Sequence, residues 1–244
     1  MDTILQEGRR RGLLQHVMGL WTSPGEAFGS ILRRPQVLAP LIALVAVQLA
    51  FTGIWMGEVD PSEFMKLQME ESGQWEKIPL DGRAEVLESQ GRFFPIMAWA
   101  GAVLGAPILA LVVAGLLLFV FRFFYASQVS FKPALSIVAH AFLAVGLVTA
   151  PLTLLVLALR GDWNINPEAA IQANLSLLLG DRDDVPKFLW SFAESLDLFS
   201  FWALWLLALG FGLASSRGWR HVLAGVLAPW AIYVLAKSSL AALF

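Results

Sequence analysis

Four ionisable residues stand in or beside long apolar runs of the 244-residue chain: Arg122, His140, Asp197 and Lys237. Titratable groups inside a membrane are costly and often functional, so these four are candidates for proton transfer, ion movement or contact with a polar ligand. Asp197 opens the stretch "SLDLFSFWALWLLALGFGLA", which carries no other charged residue. Its carboxylate could be a catalytic group, a transport site or an anchor for the helix that begins there.

Signatures of catalysis and of metal binding are missing from the sequence. It has no GxxxxGK[ST] phosphate loop, no HExxH pair and no GxSxG elbow. It also has no cysteine, which excludes thiolate ligands and a cysteine nucleophile. The three histidines, His16, His140 and His221, lie on separate segments with no acid at ligand spacing. We therefore predict no catalytic residue, no metal, no cofactor and no enzymatic activity.

Structural roles compete with functional ones at each of the four positions. Asp197 stands where a helix N-cap belongs, and its depth matches that of Lys237 to within about 3 Å if two antiparallel helices turn near Gly218. A cross-helix ion pair that sets the register is one interpretation. His140 fits a neutral imidazole bonded to a neighbouring helix better than a proton relay. Arg122 ends an apolar run, where it would reach the headgroups.

The composition indicates a membrane protein, since 57% of the residues are hydrophobic, 15% are charged and the mean hydropathy is +0.67. A bilayer-spanning helix needs about 20 apolar residues, and its backbone must be satisfied within the segment. The sequence therefore predicts an all-α polytopic fold with short interfacial and loop helices, the latter around Ser62–Glu71 and Asp81–Gln90. Its five transmembrane helices are predicted to cover about 37–57, 96–121, 134–159, 198–216 and 222–243.

The distribution of charge predicts the orientation of these spans. With the N-terminus inside, the inner segments hold nine basic and three acidic residues, while the outer loops 58–92 and 160–196 are long and acidic. The positive-inside rule then favours a cytoplasmic N-terminus and an outer C-terminus. Residues 1–36 form a separate cytoplasmic segment in front of the membrane domain 37–244, and their short amphipathic helices with flanking arginines suit the membrane interface. The bilayer is the expected partner, and nucleic acid is not.

Small residues allow helices to approach closely in two of the spans. Gly101 and Gly105 make a GxxxG pattern in the second span, and Ala208 and Gly212 lie in the inner half of the fourth. Such positions serve packing within one chain or association with a second copy or another membrane protein. The sequence leaves these alternatives open.

Two quoted stretches resemble a known family. "LWTSPGEAFGSILRRPQVLAPLIAL" resembles the opening of bacterial-type members of the Yip domain family, the Ypt/Rab-interacting membrane proteins. "SLDLFSFWALWLLALGFGLASSRG" is similar to the LD(L/I)F…W…L…G pattern that leads into the family's fourth span. The resemblance extends from about residue 20 to the C-terminus.

The resemblance implies five spans, a cytoplasmic N-terminus and residence in a bacterial cytoplasmic membrane. Eukaryotic members are linked to Rab GTPases, but their acidic "DLYGP"-type motif is missing here and residues 1–36 are shorter than their N-terminal domain. GTPase binding is therefore not expected. The function hypotheses are a non-enzymatic scaffold or partner-binding protein and, as the alternative, a transporter, channel or lipid-handling protein with a polar path near Arg122, His140, Asp197 and Lys237.

Overall fold

The fold is built from α-helices, and no strand occurs in residues 12–180 and 182–243, which the computed structural model describes. Residues 1–11, with Arg9, Arg10 and Arg11 of the predicted interfacial segment, lie outside the described part. The helices are α1 (Leu13–Thr22), α2 (Pro24–Arg33), α3 (Leu38–Glu58), α4 (Pro61–Glu71), α5 (Arg83–Tyr125), α6 (Phe131–Arg160), α7 (Pro167–Ala170), α8 (Lys187–Ser195), α9 (Leu198–Ala214) and α10 (Trp219–Leu243).

Four helices of the described chain, α3, α5, α6 and α10, are long and apolar enough to cross a membrane. They contain the predicted spans 37–57, 96–121, 134–159 and 222–243, apart from the N-cap Val37 of α3. The fourth predicted span, 198–216, coincides with the apolar helix α9, which has 17 residues. At 1.5 Å per residue α9 is about 25 Å long, slightly less than a hydrocarbon core of about 30 Å. The count of five spans and their orientation stay predictions.

Helix α5 is longer than the sequence indicated, because it has 43 residues and includes the end of the predicted outer loop 58–92. Its first turns are polar, and they are helical because glutamate and arginine favour helices with or without lipid. An ion pair between Glu88 and Arg92, one turn apart, supports this part of the helix. Pro95 and Pro107 lie inside α5 without ending it, and α4 packs alongside.

Hydrogen bonds join elements at both ends of the helix bundle. The loop end is the end with the long connections that follow α3 and α6, and the hairpin end is the end with α1, α2 and the α9–α10 turn. At the loop end, Trp55 Nε1 donates to the carbonyl of Trp163 at 3.0 Å, joining the last turn of α3 to the segment after α6. At the hairpin end, Arg217 donates to the carbonyl of Tyr125 at 3.1 Å, joining the α9–α10 turn to the end of α5. Helices α3, α6 and α10 therefore run from the hairpin end to the loop end, and α5 and α9 run back.

The hairpin of α1 and α2 packs against the bundle at the hairpin end. Val17 contacts α3 and α6, and Phe28, fully buried, belongs to the core formed with α6 and α9. The opposite side of α1 exposes Leu14, Met18 and Trp21. An element that is apolar on both sides fits a place between the bundle and lipid. Location of this hairpin in the headgroup layer stays a prediction.

Ser23, Pro24 and Glu26 predict an N-cap, a first-turn proline and a first-turn acid at the start of α2, and the structure differs in one detail. Pro24 occupies the first turn and Glu26 follows it, but Ser23 makes no side-chain capping hydrogen bond. Its backbone carbonyl instead accepts from Ala27 N at 3.1 Å. The tight link of one residue between α1 and α2 therefore depends on proline and on main-chain geometry.

Small residues bring α6 and α9 together at the centre of the main core. Ala208 is fully buried, and a Cβ at Gly212 would lie 3.0 Å from main-chain atoms of Trp219, so the α9–α10 turn needs glycine there. A Cβ at Gly210 would overlap the side chain of Ile137 and lie 3.2 Å from a ring carbon of Phe28. This point joins α2, α6 and α9.

Replacing Gly210 with valine should therefore loosen the bundle. We expect Gly210→Val to lower the free energy of unfolding by about 1–3 kcal/mol, because the core around Ile137 and Phe28 has no room for the side chain. Thermal unfolding in detergent measures the change. Gly57→Val is the matched control, since a Cβ there meets nothing within 4 Å. Ile137→Ala should cost less in the Gly210→Val background than in the parent, because the two changes share one space; equal stability of Gly210→Val and the control would contradict this packing.

Candidate functional site

A polar cavity of about 630 Å³ opens at the loop end of the bundle, between α3, α5, α6 and the second loop. Its polar lining residues are Gln48, Thr52, Thr149, Thr153, Asn166, Glu168, Asn174, Glu194 and Asp197. Its apolar lining residues are Phe51, Trp55, Phe64, Ala98, Gly101, Ala102, Ala150, Pro167, Ile171 and Phe199. We call this space the loop-end cavity.

Two helices supply the polar wall of the loop-end cavity by their periodicity. Gln48 and Thr52 lie one turn apart on α3, and Thr149 and Thr153 lie one turn apart on α6, so each pair shares a helix face. Thr52 is 7% exposed and Thr153 is 8% exposed. Helical threonines commonly donate to the carbonyl four residues back, yet neither hydroxyl has a hydrogen-bond partner among the described residues. Both are therefore free to bond to a molecule in the cavity.

The second loop folds over the cavity and is held by short-range capping. Asn166 Oδ1 accepts from Glu168 N at 3.0 Å, which starts α7, and Asn174 Oδ1 accepts from Ser176 N at 3.1 Å. Asn174 also forms an isolated antiparallel bridge with Asp197, so the loop meets the start of α9. These contacts place Glu168 and Asp197 on the same cavity.

Asp197 is the N-cap of α9. Its Oδ1 accepts from Phe199 N and from Ser200 N, both at 2.9 Å, which satisfies two otherwise unpaired amides. Its other carboxylate oxygen makes no hydrogen bond within the described chain. Asp197 is therefore both a helix anchor and a negative charge on the cavity wall.

The ion pair between Asp197 and Lys237 considered from the sequence is absent from the described residues. Helical rise gave the two residues a similar depth, but it did not fix the face of α10 on which the lysine lies. Val234 and Ser238 are buried, whereas Lys237 is exposed. Helix α10 packs along both α8 and α9. The register of α9 and α10 is thus set by packing and by their short turn.

The other two candidates lie away from the cavity. Arg122 donates through Nε to the carbonyl of Val129 at 3.2 Å and lines a shallow groove on α5 near the hairpin end. His140 is fully buried, and its Nδ1–H donates to the carbonyl of Ser136 at 2.8 Å. The structure does not bring Arg122, His140, Asp197 and Lys237 together around one path.

A partner of His140 was missed by the sequence analysis. The ring of His16 in α1 meets the His140 ring edge-on, with the centroids 5.6 Å apart. Nothing in the spacing of two histidines 124 positions apart signals this contact. Within the described residues, no group of three or more His, Asp or Glu side chains is arranged to hold a metal ion.

A family model places this architecture among known proteins. The Yip1 domain model matches residues 18–240, nearly the whole chain and all five apolar helices up to the last turn of α10. The chain belongs to the Yip1 family. The predicted membership of the Yip family is thereby confirmed. No curated protein and no solved structure shows significant similarity to this Yip1-family chain.

The two roles weighed for Asp197 can be separated by substitution. We expect Asp197→Ala to cost about 1 kcal/mol because the cap acceptor is lost, whereas Asp197→Asn should stay close to the parent because asparagine also caps. Lys237→Met should leave the unfolding free energy unchanged, since the lysine has no ion pair with Asp197. Thermal unfolding of the three variants is the measurement. Equal losses in Asp197→Asn and Lys237→Met, not additive in the double variant, would instead support an ion pair.

Proposed function

We propose that this Yip1-family chain is a non-enzymatic membrane scaffold whose helix α5 binds a transmembrane helix of a partner. The observation that carries the proposal is an unpartnered seam on α5. It consists of residues spaced alternately by four and three: Gly101, Gly105, Ile108, Val112, Gly115 and Phe119. We call this set the α5 seam.

The α5 seam has the composition and exposure of a helix-packing surface. A Cβ built on Gly101, Gly105 or Gly115 meets nothing within 4 Å, so no helix of the described chain uses these glycines. Ile108 is 54% exposed and Val112 is 58% exposed. Alternating spacing of this kind keeps one side of a helix facing a partner, and small residues let the two backbones approach. By contrast, Ala208 and Gly212 pack against other parts of the same chain.

The family supports a role without catalysis, since Yip1 proteins are non-enzymatic membrane proteins. The alternative of transport finds less support, because the loop-end cavity includes Asp197 but not Arg122, His140 or Lys237. The cavity favours binding of a small polar molecule at one end of the bundle over passage through it.

The topology that we propose has five spans, with the hairpin end in the cytoplasm and the loop end outside, in a bacterial cytoplasmic membrane. Helix α9 begins at Asp197 beside the loop-end cavity and ends at the turn that contacts Tyr125. It therefore runs between the same two ends of the bundle as the longer helices, although it has only 17 residues. Ser136 Oγ donates to the carbonyl of Gln36 at 2.8 Å, which supports placing the N-terminal segment at the hairpin end.

Labelling of introduced cysteines tests this topology, and the chain contains no cysteine of its own. In intact cells with a permeable outer barrier, a membrane-impermeant maleimide should label Gln74→Cys and Leu243→Cys. Gln128→Cys should react only after the membrane is opened. All three side chains are exposed on the protein. Protection of Leu243→Cys together with labelling of Gln74→Cys would contradict the odd number of spans.

Crosslinking tests the α5 seam. A photo-crosslinking residue at Ile108 in native membranes should give a discrete protein adduct, and Gly105→Leu should lower its yield at least about fivefold by blocking close approach. The mass of the adduct distinguishes a second copy from another membrane protein. The control is the same residue at Ile232 of α10, which is 68% exposed and off the seam. Adducts with lipid alone, or a yield insensitive to Gly105→Leu, would overturn the proposal.

A further inference from the structure

The loop-end cavity carries an excess of negative charge that the scaffold role does not use. Three carboxylates, Glu168, Glu194 and Asp197, line it, and no lysine, arginine or histidine is among its lining residues. In a partly enclosed space, carboxylates attract cations more strongly than they do at an open surface. The cavity is therefore electrostatically suited to a cation.

Each carboxylate keeps an oxygen available for a ligand. Asp197 uses Oδ1 for capping, and Glu194 Oε1 accepts from Trp190 Nε1 at 2.9 Å. The remaining oxygens of these two side chains, and both oxygens of Glu168, have no hydrogen-bond or ion-pair partner among the described residues. Glu168 is exposed, and the other two are half-buried, so the charge extends from the opening inward.

Two threonine side chains point independently to a ligand. Thr52 and Thr153 line the same cavity, are more than nine-tenths buried and have no hydrogen-bond partner in the described chain. Their hydroxyl oxygens are not among the fully enclosed unpaired atoms of the described residues, so they border the open space of the cavity. A hydroxyl can accept a hydrogen bond from an N–H donor that enters the cavity. Both the carboxylates and the hydroxyls can therefore accept hydrogen bonds from a positively charged N–H group.

The size of the cavity and the character of its walls select an organic cation over a metal ion. A volume of about 630 Å³ is large for a bare ion, and the described acids do not form a cluster suited to metal coordination. Aromatic rings of Phe51, Trp55 and Phe64 line the apolar side. Aromatic faces attract ammonium groups and also pack against alkyl carbons. Such walls fit a short alkyl chain that ends in a charged nitrogen.

We infer that the loop-end cavity of this protein binds a primary ammonium group, with the carboxylates as charge partners and the threonine hydroxyls as acceptors. The ammonium can belong to a free aliphatic amine or to the headgroup of an aminophospholipid. In the second case the phosphate stays outside the cavity, because no basic side chain lines it to accept an anion. The inference is independent of the α5 seam.

Calorimetric titration of the purified full chain in dodecyl maltoside tests the inference, with butylammonium as the probe and butanol as its neutral counterpart. We expect butylammonium to bind and butanol not to bind. The variant Glu168→Gln, Glu194→Gln, Asp197→Asn should weaken binding at least about tenfold, because charge-assisted hydrogen bonds are lost. Asparagine at 197 keeps the α9 cap, so the variant is designed to fold.

A charge-matched control separates the cavity from the overall charge of the outer loops. Glu76→Gln, Asp81→Asn, Glu85→Gln removes three carboxylates of the same loop end that do not line the cavity, and binding should be unchanged. Thr52→Val should weaken binding by a few-fold while thermal unfolding stays close to the parent. If butylammonium does not bind, or if the control triple variant loses as much as the cavity triple variant, the inference is overturned.

A lipid arm distinguishes the two sources of the ammonium. Native mass spectrometry should be done on protein from nanodiscs of phosphatidylglycerol with and without phosphatidylethanolamine. A retained phosphatidylethanolamine that butylammonium displaces, and that the cavity triple variant does not retain, assigns the site to a lipid headgroup. Butylammonium binding with no retained lipid assigns it to a free amine.

Discussion

The need to satisfy every main-chain amide without water determines how this molecule is built. Inside lipid a helix satisfies its own interior, but its ends must find other partners or lie near water. Asp197 meets this requirement for α9 by accepting from two amides. The main chain at the same helix start meets the second loop, through the bridge between residues 174 and 197 and the bond from Leu198 N to the carbonyl of Ala173. The start of α9 thus combines a capped helix end with the contact that brings the second loop to the loop-end cavity.

Local chemistry and hydropathy were enough to predict the apolar helices. The apolar runs gave the helices α3, α6, α9 and α10, and the residue types at Ser23-Pro24 and at Asp197 gave two helix starts. These features depend on neighbours within a few residues, so a single sequence contains the information. Helix α5 is the exception in length. Its charged first turns predicted a short helix of the outer loop, separate from the span, whereas the two form one continuous helix because charge limits burial in lipid and not helix formation.

The faces of the helices were harder to predict than their extents. A helix that is apolar all round has little contrast between its packed side and its lipid side. Depth alone therefore suggested a pair between Asp197 and Lys237, while the buried residues Val234 and Ser238 turn the lysine outward. The loop-end cavity and the His16–His140 contact arise from segments far apart in the chain. The pairs Gln48/Thr52 and Thr149/Thr153 do have helical spacing within apolar runs, but no pattern in the sequence shows that these faces meet the second loop.

Helix α5 belongs to two surfaces at once, because Gly101 lies on the α5 seam and also lines the loop-end cavity. Ala98 and Ala102, within one turn, line the cavity as well. A partner helix seated at Gly101 and Gly105 would therefore form part of the cavity's rim. By thermodynamic linkage, if the bound partner helix changes the affinity of the cavity for its ligand, the ligand changes the affinity of the protein for the partner helix by the same factor. If both proposed ligands bind, the shared Gly101 would therefore be the place where occupation of the cavity and docking of a partner helix influence each other.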